Sequence, residues 1–160
     1  TYAMTGWRIG YSFGNIDIIK AMSKIQGQAT SCANSIGQAA SIEALIGDQA
    51  NVDRMIEVFK GRRDYMIEML NNLPEVECRL PGGAFYAFPS FNSYIGKTYK
   101  NKTINDSFEL CDIFLNEGHV ATIPGDGFGA PGYVRFSYAI DKKTINDGLG
   151  RIEKIIKLIK

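Results

Sequence analysis

Val52, Met55, Ile56, Phe59, Met66, Met69, Leu70 and Leu73 recur at helical spacing with charged residues between them, and Pro74 ends the pattern. This repeat constrains the fold more than any other feature. A helix over about 48–73 rises 1.5 Å per residue and reaches roughly 35 Å, enough to run between two domains. Gly61 inside it costs on the order of 1 kcal/mol relative to alanine. After Leu73 the pattern reads strand, strand, helix, strand, strand, helix. Val76–Leu80 and Ala84–Phe88 are strand-like and are joined through Pro81-Gly82-Gly83. Asp106-Ser107-Phe108-Glu109 has capping-box spacing and opens a helix that runs to Glu117 and stops at Gly118. His119–Ile123 and Tyr133–Tyr138 are strands around a Gly/Pro loop. Asp141 caps a last helix whose inner face carries Ile145, Leu149, Ile152, Ile155, Ile156 and Ile159. The expected class is α/β, with an α+β two-layer unit from Leu73 onward.

The first 47 residues are less self-sufficient. Arg8–Phe13 alternates between glycines and is expected to be a short strand. Asn15 caps a helix with Ile16, Ile19, Met22 and Ile25 on one face, residues 27–34 form a loop, and Ser35–Ile46 is a helix ending at Gly47. One strand and two helices do not make a sheet with a core.

The 160 residues suffice for one domain, or for one domain and part of another. A formal net charge of +1 leaves no electrostatic footprint for nucleic acid or for an anionic membrane. No apolar run approaches the roughly 18 residues of a membrane span, and the N-terminus lacks the pattern of a signal peptide. Cys32, Cys78 and Cys111 are scattered, with His119 the only histidine. That set argues against a metal site and for free thiols in a reducing compartment. The sequons at Asn101 and Asn105 are then chance matches. The tyrosine- and lysine-rich stretch from Ser90 to Asn105 is expected to be a polar loop. Lys97, Lys100 and Lys102 lie on a solvated surface. Tyr94 and Tyr99 could stack on nucleobases, but the near-neutral charge speaks against it.

Two arginines and two glycine-bearing segments could carry chemistry. Arg8 could meet a phosphate through two parallel charge-assisted hydrogen bonds; taken alone, it reads as a surface residue. Arg135 stands in the otherwise apolar strand Tyr133–Ala139, where burying a cation without an anion is costly. Its bland alternative is a salt bridge to a nearby carboxylate. The segment Pro124–Gly132 suggests a phosphate-cradling loop, but a strand follows it instead of the helix that a dinucleotide site requires. A nucleotide role is rejected. In Pro81–Tyr86 the glycines permit close backbone approach or simply a tight turn; Phe85 and Tyr86 receive no catalytic role.

Ala3, Met4, Gly6, Arg8, Ile9 and Gly10, then Pro81–Tyr86, then Ile123–Ala139 occur in the order of three motifs. Together they resemble the class I and II aminotransferases, the pyridoxal-phosphate (PLP) enzymes of fold type I, and most closely the bacterial aspartate aminotransferase-like group. The resemblance implies the C-terminal part of that fold. Residues 1–48 would be the last segment of the large PLP-binding domain, and 49–160 a small domain entered by the helix at about 49–73. It implies that Arg8 binds the cofactor phosphate and that Arg135 binds the substrate α-carboxylate. The catalytic Schiff-base lysine would come immediately before Thr1, so no catalytic residue is expected within the chain. It further implies a cytoplasmic homodimer that moves an amino group between an amino acid, aspartate first, and a 2-oxo acid. The 160 residues alone are expected to be inactive and to hold PLP weakly. Two alternatives share the scaffold: a ligand-sensing domain of a transcription regulator, and a sister carbon–sulfur lyase.

Overall fold

The computed structural model describes residues 1–160. The chain forms two compact units, Thr1–Met55 and Ile56–Lys160.

In the first unit, a short 3-10 turn at Thr5–Trp7 is followed by α1 (Ile16–Ala29) and α2 (Ser35–Ile46). Both helices start where a side chain can take up an orphan amide. Asn15 accepts from the Asp17 amide at 2.9 Å, and Asn34 accepts from the Gly37 amide at 2.6 Å. A Cβ on Gly37 would lie 2.8 Å from the Asn34 side chain, so the cap requires glycine there. The helix α1 continues through Gly27 to Ala29, three residues into the expected loop.

No strand forms over Arg8–Phe13, contrary to expectation. Alternation marks a strand only where a partner supplies the ladder, and the first unit contains no strand to pair with it. Gly37 is the only buried residue in the elements of this unit, whereas Trp7, Tyr11, Phe13, Ile16, Met22 and Ile25 are exposed.

The second unit has a core of its own. The long repeat forms α3 (Ala50–Asn71), whose first amide bonds to the Asp48 carboxylate at 3.0 Å. Within α3, burial is confined to Met66, Ile67 and Leu70 near its end. The antiparallel strands β1 (Tyr86–Ala87), β4 (Ile123–Pro124) and β5 (Val134–Ser137) form a sheet with β5 in the middle. A separate hairpin pairs β2 (Thr98–Tyr99) with β3 (Lys102–Thr103). The helices α4 (Ser107–Gly118) and α5 (Lys142–Ile156) complete the order.

Strand alternation sorts β5 into two faces. Val134 and Phe136 are buried with Leu110 and Phe114 of α4 and Leu149 and Ile152 of α5, while Arg135 and Ser137 face the other way. All six apolar residues expected on the inner face of α5 are buried, and Asp141 caps it through the Thr144 amide. Asp106 caps α4 through the Glu109 amide at 2.9 Å, as the capping-box spacing predicts. The return bond from Glu109 goes to the Asn105 amide, one residue earlier than in the standard box.

Several expectations change. The strands are shorter than predicted, and Val76–Leu80 contributes only a single bridge, Glu77 to Ser90. The Ser90–Asn105 segment is not a polar surface loop. Phe91, Tyr94, Tyr99 and Ile104 are buried, with Phe91 packed 5.6 Å from Phe114 and 6.1 Å from Phe136, measured between ring centroids. The Tyr94 hydroxyl donates to the Pro74 carbonyl at 2.5 Å, so neither tyrosine is presented for base stacking. The lysines of this segment do lie at the surface, paired with Glu75, Glu117 and Glu109. At Gly82 and Gly83 a Cβ would meet nothing of this chain within 4 Å. The left-handed residue of that turn is Ala84, with φ 60°, and its carbonyl accepts from the Tyr138 hydroxyl at 3.1 Å.

Candidate active-site residues

Arg135 sits on the middle strand, opposite Ile123 of β4 in register. It makes no salt bridge with any carboxylate of the chain. The ordinary fate of a half-buried arginine is therefore not the one observed. Two aromatic rings stand next to the guanidinium instead: its carbon lies 4.4 Å from the Tyr86 ring centroid and 4.8 Å from that of Phe128. Tyr86 pairs with Ser137, two residues along the strand from Arg135, so the two side chains meet diagonally on one sheet face. Phe88 and Tyr133 extend the same face, with ring centroids 5.2 Å apart. Sequence reasoning missed both rings beside Arg135. The diagonal to Tyr86 requires the strand register, and Phe128 arrives from a loop.

That loop is built as a structural clamp. Residues 125–128 form a 3-10 turn, and the Asp126 carboxylate accepts from the Ser107 amide at 3.1 Å and from the Ser107 hydroxyl. The Ser107 hydroxyl bond holds the Asp126 carboxyl below the usual carboxylate range. The start of α4 is thus already occupied by Asp126 and Asp106. Gly125 and Gly132 allow the loop to close. A Cβ on Gly125 would lie 2.4 Å from the Ala130 carbonyl oxygen, and Gly132 has φ +72° with Asn92 directly over it.

Arg8, in the first unit, follows the 3-10 turn with φ 52° and is exposed. Its guanidinium donates to the Thr5 carbonyl at 3.0 Å and has no acidic partner. The Asn34 amide donates to the adjacent Trp7 carbonyl at 3.5 Å, connecting this turn to the start of α2. No group of three His, Cys, Asp or Glu side chains is arranged to hold a metal ion, and no helix is long and apolar enough to cross a membrane.

The model of the family "Aminotransferase class I and II" matches residues 1–152. The chain belongs to that family. An aspartate aminotransferase of Streptomyces avermitilis is 42% identical over 98% of this chain and 38% of its own length. An aspartate/prephenate aminotransferase of Nitrosomonas europaea is 40% identical over 97% of this chain and 40% of its own. The crystal structure of the Rhizobium meliloti aspartate aminotransferase superposes with a TM-score of 0.93 at 41% identity, covering 99% of this chain and 40% of that one. The fold is the corresponding part of the fold type I architecture. The chain thus spans about two fifths of the length of the aminotransferases it matches.

Proposed function

We propose that this chain is the part of a PLP-dependent aminotransferase that binds the substrate carboxylate and the cofactor phosphate. Residues 1–48 would belong to the large domain and 49–160 to the small domain. The amino donor we infer is aspartate and the acceptor a 2-oxo acid, following the names of the relatives. The observation that carries the reading is an arginine on the middle strand of a sheet with no acidic partner. Such a cation is suited to an anion that arrives from outside.

The residues present fit the cofactor. The Arg8 guanidinium is exposed, is committed to a single carbonyl and has donors left for a phosphate. Bound PLP supplies an electron sink, which lowers the barrier to removing the substrate α-proton. The chain's own contribution is positioning. Arg135 offers a planar fork that matches a carboxylate in two parallel hydrogen bonds and so fixes the orientation of the α-carbon. The aromatic rings beside it lower the local polarity and strengthen that pair. None of the chain's lysines stands in the attachment motif, so the 160 residues by themselves are expected not to turn over. The complete enzyme would be a cytoplasmic homodimer.

The test begins with the gene upstream of Thr1, where a lysine codon is expected immediately before it. The complete product should transfer the amino group of aspartate to a 2-oxo acid. Arg135→Ala should lower kcat/KM by about tenfold to a hundredfold, the worth of a charge-assisted bond. Arg8→Ala should weaken retention of PLP. A complete product that carries the lysine yet transfers no amino group from any amino acid would overturn the reading.

A further inference from the structure

We propose that Tyr86 and Phe128 are positioning residues for Arg135, holding its guanidinium through their ring faces in place of an acidic partner. The inference rests on the reading that Arg135 receives a carboxylate, and it adds how the chain keeps that arginine available.

A guanidinium has five N–H donors, and a neighbouring carboxylate or carbonyl consumes them. Arg63 shows the usual outcome. It donates to Asp64 at 2.8 Å and to the Pro81 carbonyl at 3.2 Å. Arg135 is held differently. Attraction to a ring face acts on the charge and leaves the N–H donors free. Tyr86 at 4.4 Å and Phe128 at 4.8 Å lie within the distance at which that attraction operates. An acid in their place would hold Arg135 equally well but would compete with an incoming carboxylate.

Both rings are themselves held. Tyr86 belongs to β1, and its neighbour Ala87 is fully buried in register with Phe136. Phe128 ends the turn that Asp126 fastens to Ser107, and Phe88 packs edge-on against it with centroids 6.3 Å apart. The support of Arg135 therefore comes from two separate segments, the PGGAFYAF stretch and the glycine loop. This gives the two sequence motifs one shared task.

The test follows the Nε–H resonance of Arg135 in the complete protein by NMR. In the wild type the two rings should shift it upfield. Tyr86→Leu and Phe128→Leu should each lose part of that shift, and Tyr86→Phe, which keeps a ring, should retain it. Each variant should unfold near the wild-type temperature, which separates positioning from general damage. Titration with succinate then reads carboxylate binding at Arg135, and the leucine variants should bind about two- to fivefold more weakly. Leucine variants with an unchanged resonance, or with a lost shift and unchanged succinate affinity, would overturn the positioning role. A ring-dependent resonance that ignores succinate in every version, the wild type included, upholds the holding of Arg135 and overturns the carboxylate reading instead.

Discussion

The Asp126 carboxylate accepts hydrogen bonds from both the amide and the hydroxyl of Ser107, nineteen positions away in sequence. This bond ties the glycine loop to the first turn of α4, and it depends on ionisation. The Asp126 pKa is depressed, chiefly by the Ser107 hydroxyl. A depressed carboxyl contributes its stability above its unfolded value, about 3.9, and loses it as pH falls through the lower folded value. Asp126→Asn should therefore lower the urea midpoint near neutral pH. The gap to the wild type should shrink below about pH 4. Urea titrations at several pH values would test this, and a gap constant down to pH 2 would contradict it.

Gly61 lies inside α3, and a Cβ there would meet only the Lys142 ammonium at 3.8 Å. The space is open and the backbone is helical. Gly61→Ala should stabilise the second unit by about 1 kcal/mol. Chemical denaturation of the purified chain measures the change, and destabilisation would show that the helix needs its glycine for another contact.

Ile152 is fully buried at the centre of the α5 face. Ile152→Ala should cost about 2–5 kcal/mol, by lost transfer energy and the cavity left behind. Leu158→Ala, at an exposed position of the same C-terminal segment, should cost under about 0.5 kcal/mol. Equal losses at the two sites would contradict this packing.

The three thiols should differ in reactivity. Burial pushes Cys78 up to about 11 and raises Cys111 as well, whereas Cys32 is exposed. The thiolate is the reactive form. Brief alkylation of the native chain near pH 8 should label Cys32 alone, with the other two reacting only after denaturation. Peptide mass mapping reads the outcome.

Local rules were sufficient where a residue's neighbours in sequence are also its neighbours in space. Asn15, Asp106 and Asp141 cap the helices that follow them, and the isoleucines of α5 all turn inward. They failed where distant partners decide. Arg8–Phe13 alternates like a strand but finds no ladder within its unit. Phe91 and Tyr94 lie in a polar stretch, yet Phe91 packs on Phe114 and Phe136, and the Tyr94 hydroxyl reaches Pro74. His119 takes the left-handed position after α4, with φ 51°, where glycine would be expected; its amide donates to the Leu115 carbonyl and the Val120 amide to that of Phe114 around the helix end. At the candidate site Arg135 was legible because one cation interrupts an apolar strand. Its rings were not, because the diagonal to Tyr86 exists only once β1 and β5 are in register.

The strand that carries Arg135 is flanked on both sides, by β4 through Ile123 and by β1 through the Ala87–Phe136 pair. Its α-carbon cannot drift without tearing two ladders at once. Within its unit the guanidinium thus hangs from a fixed strand, and its reach relative to that strand comes from rotation about its own side-chain bonds. A chain built this way tunes its grip on a ligand by changing the walls around a fixed lever, leaving the backbone beneath it untouched.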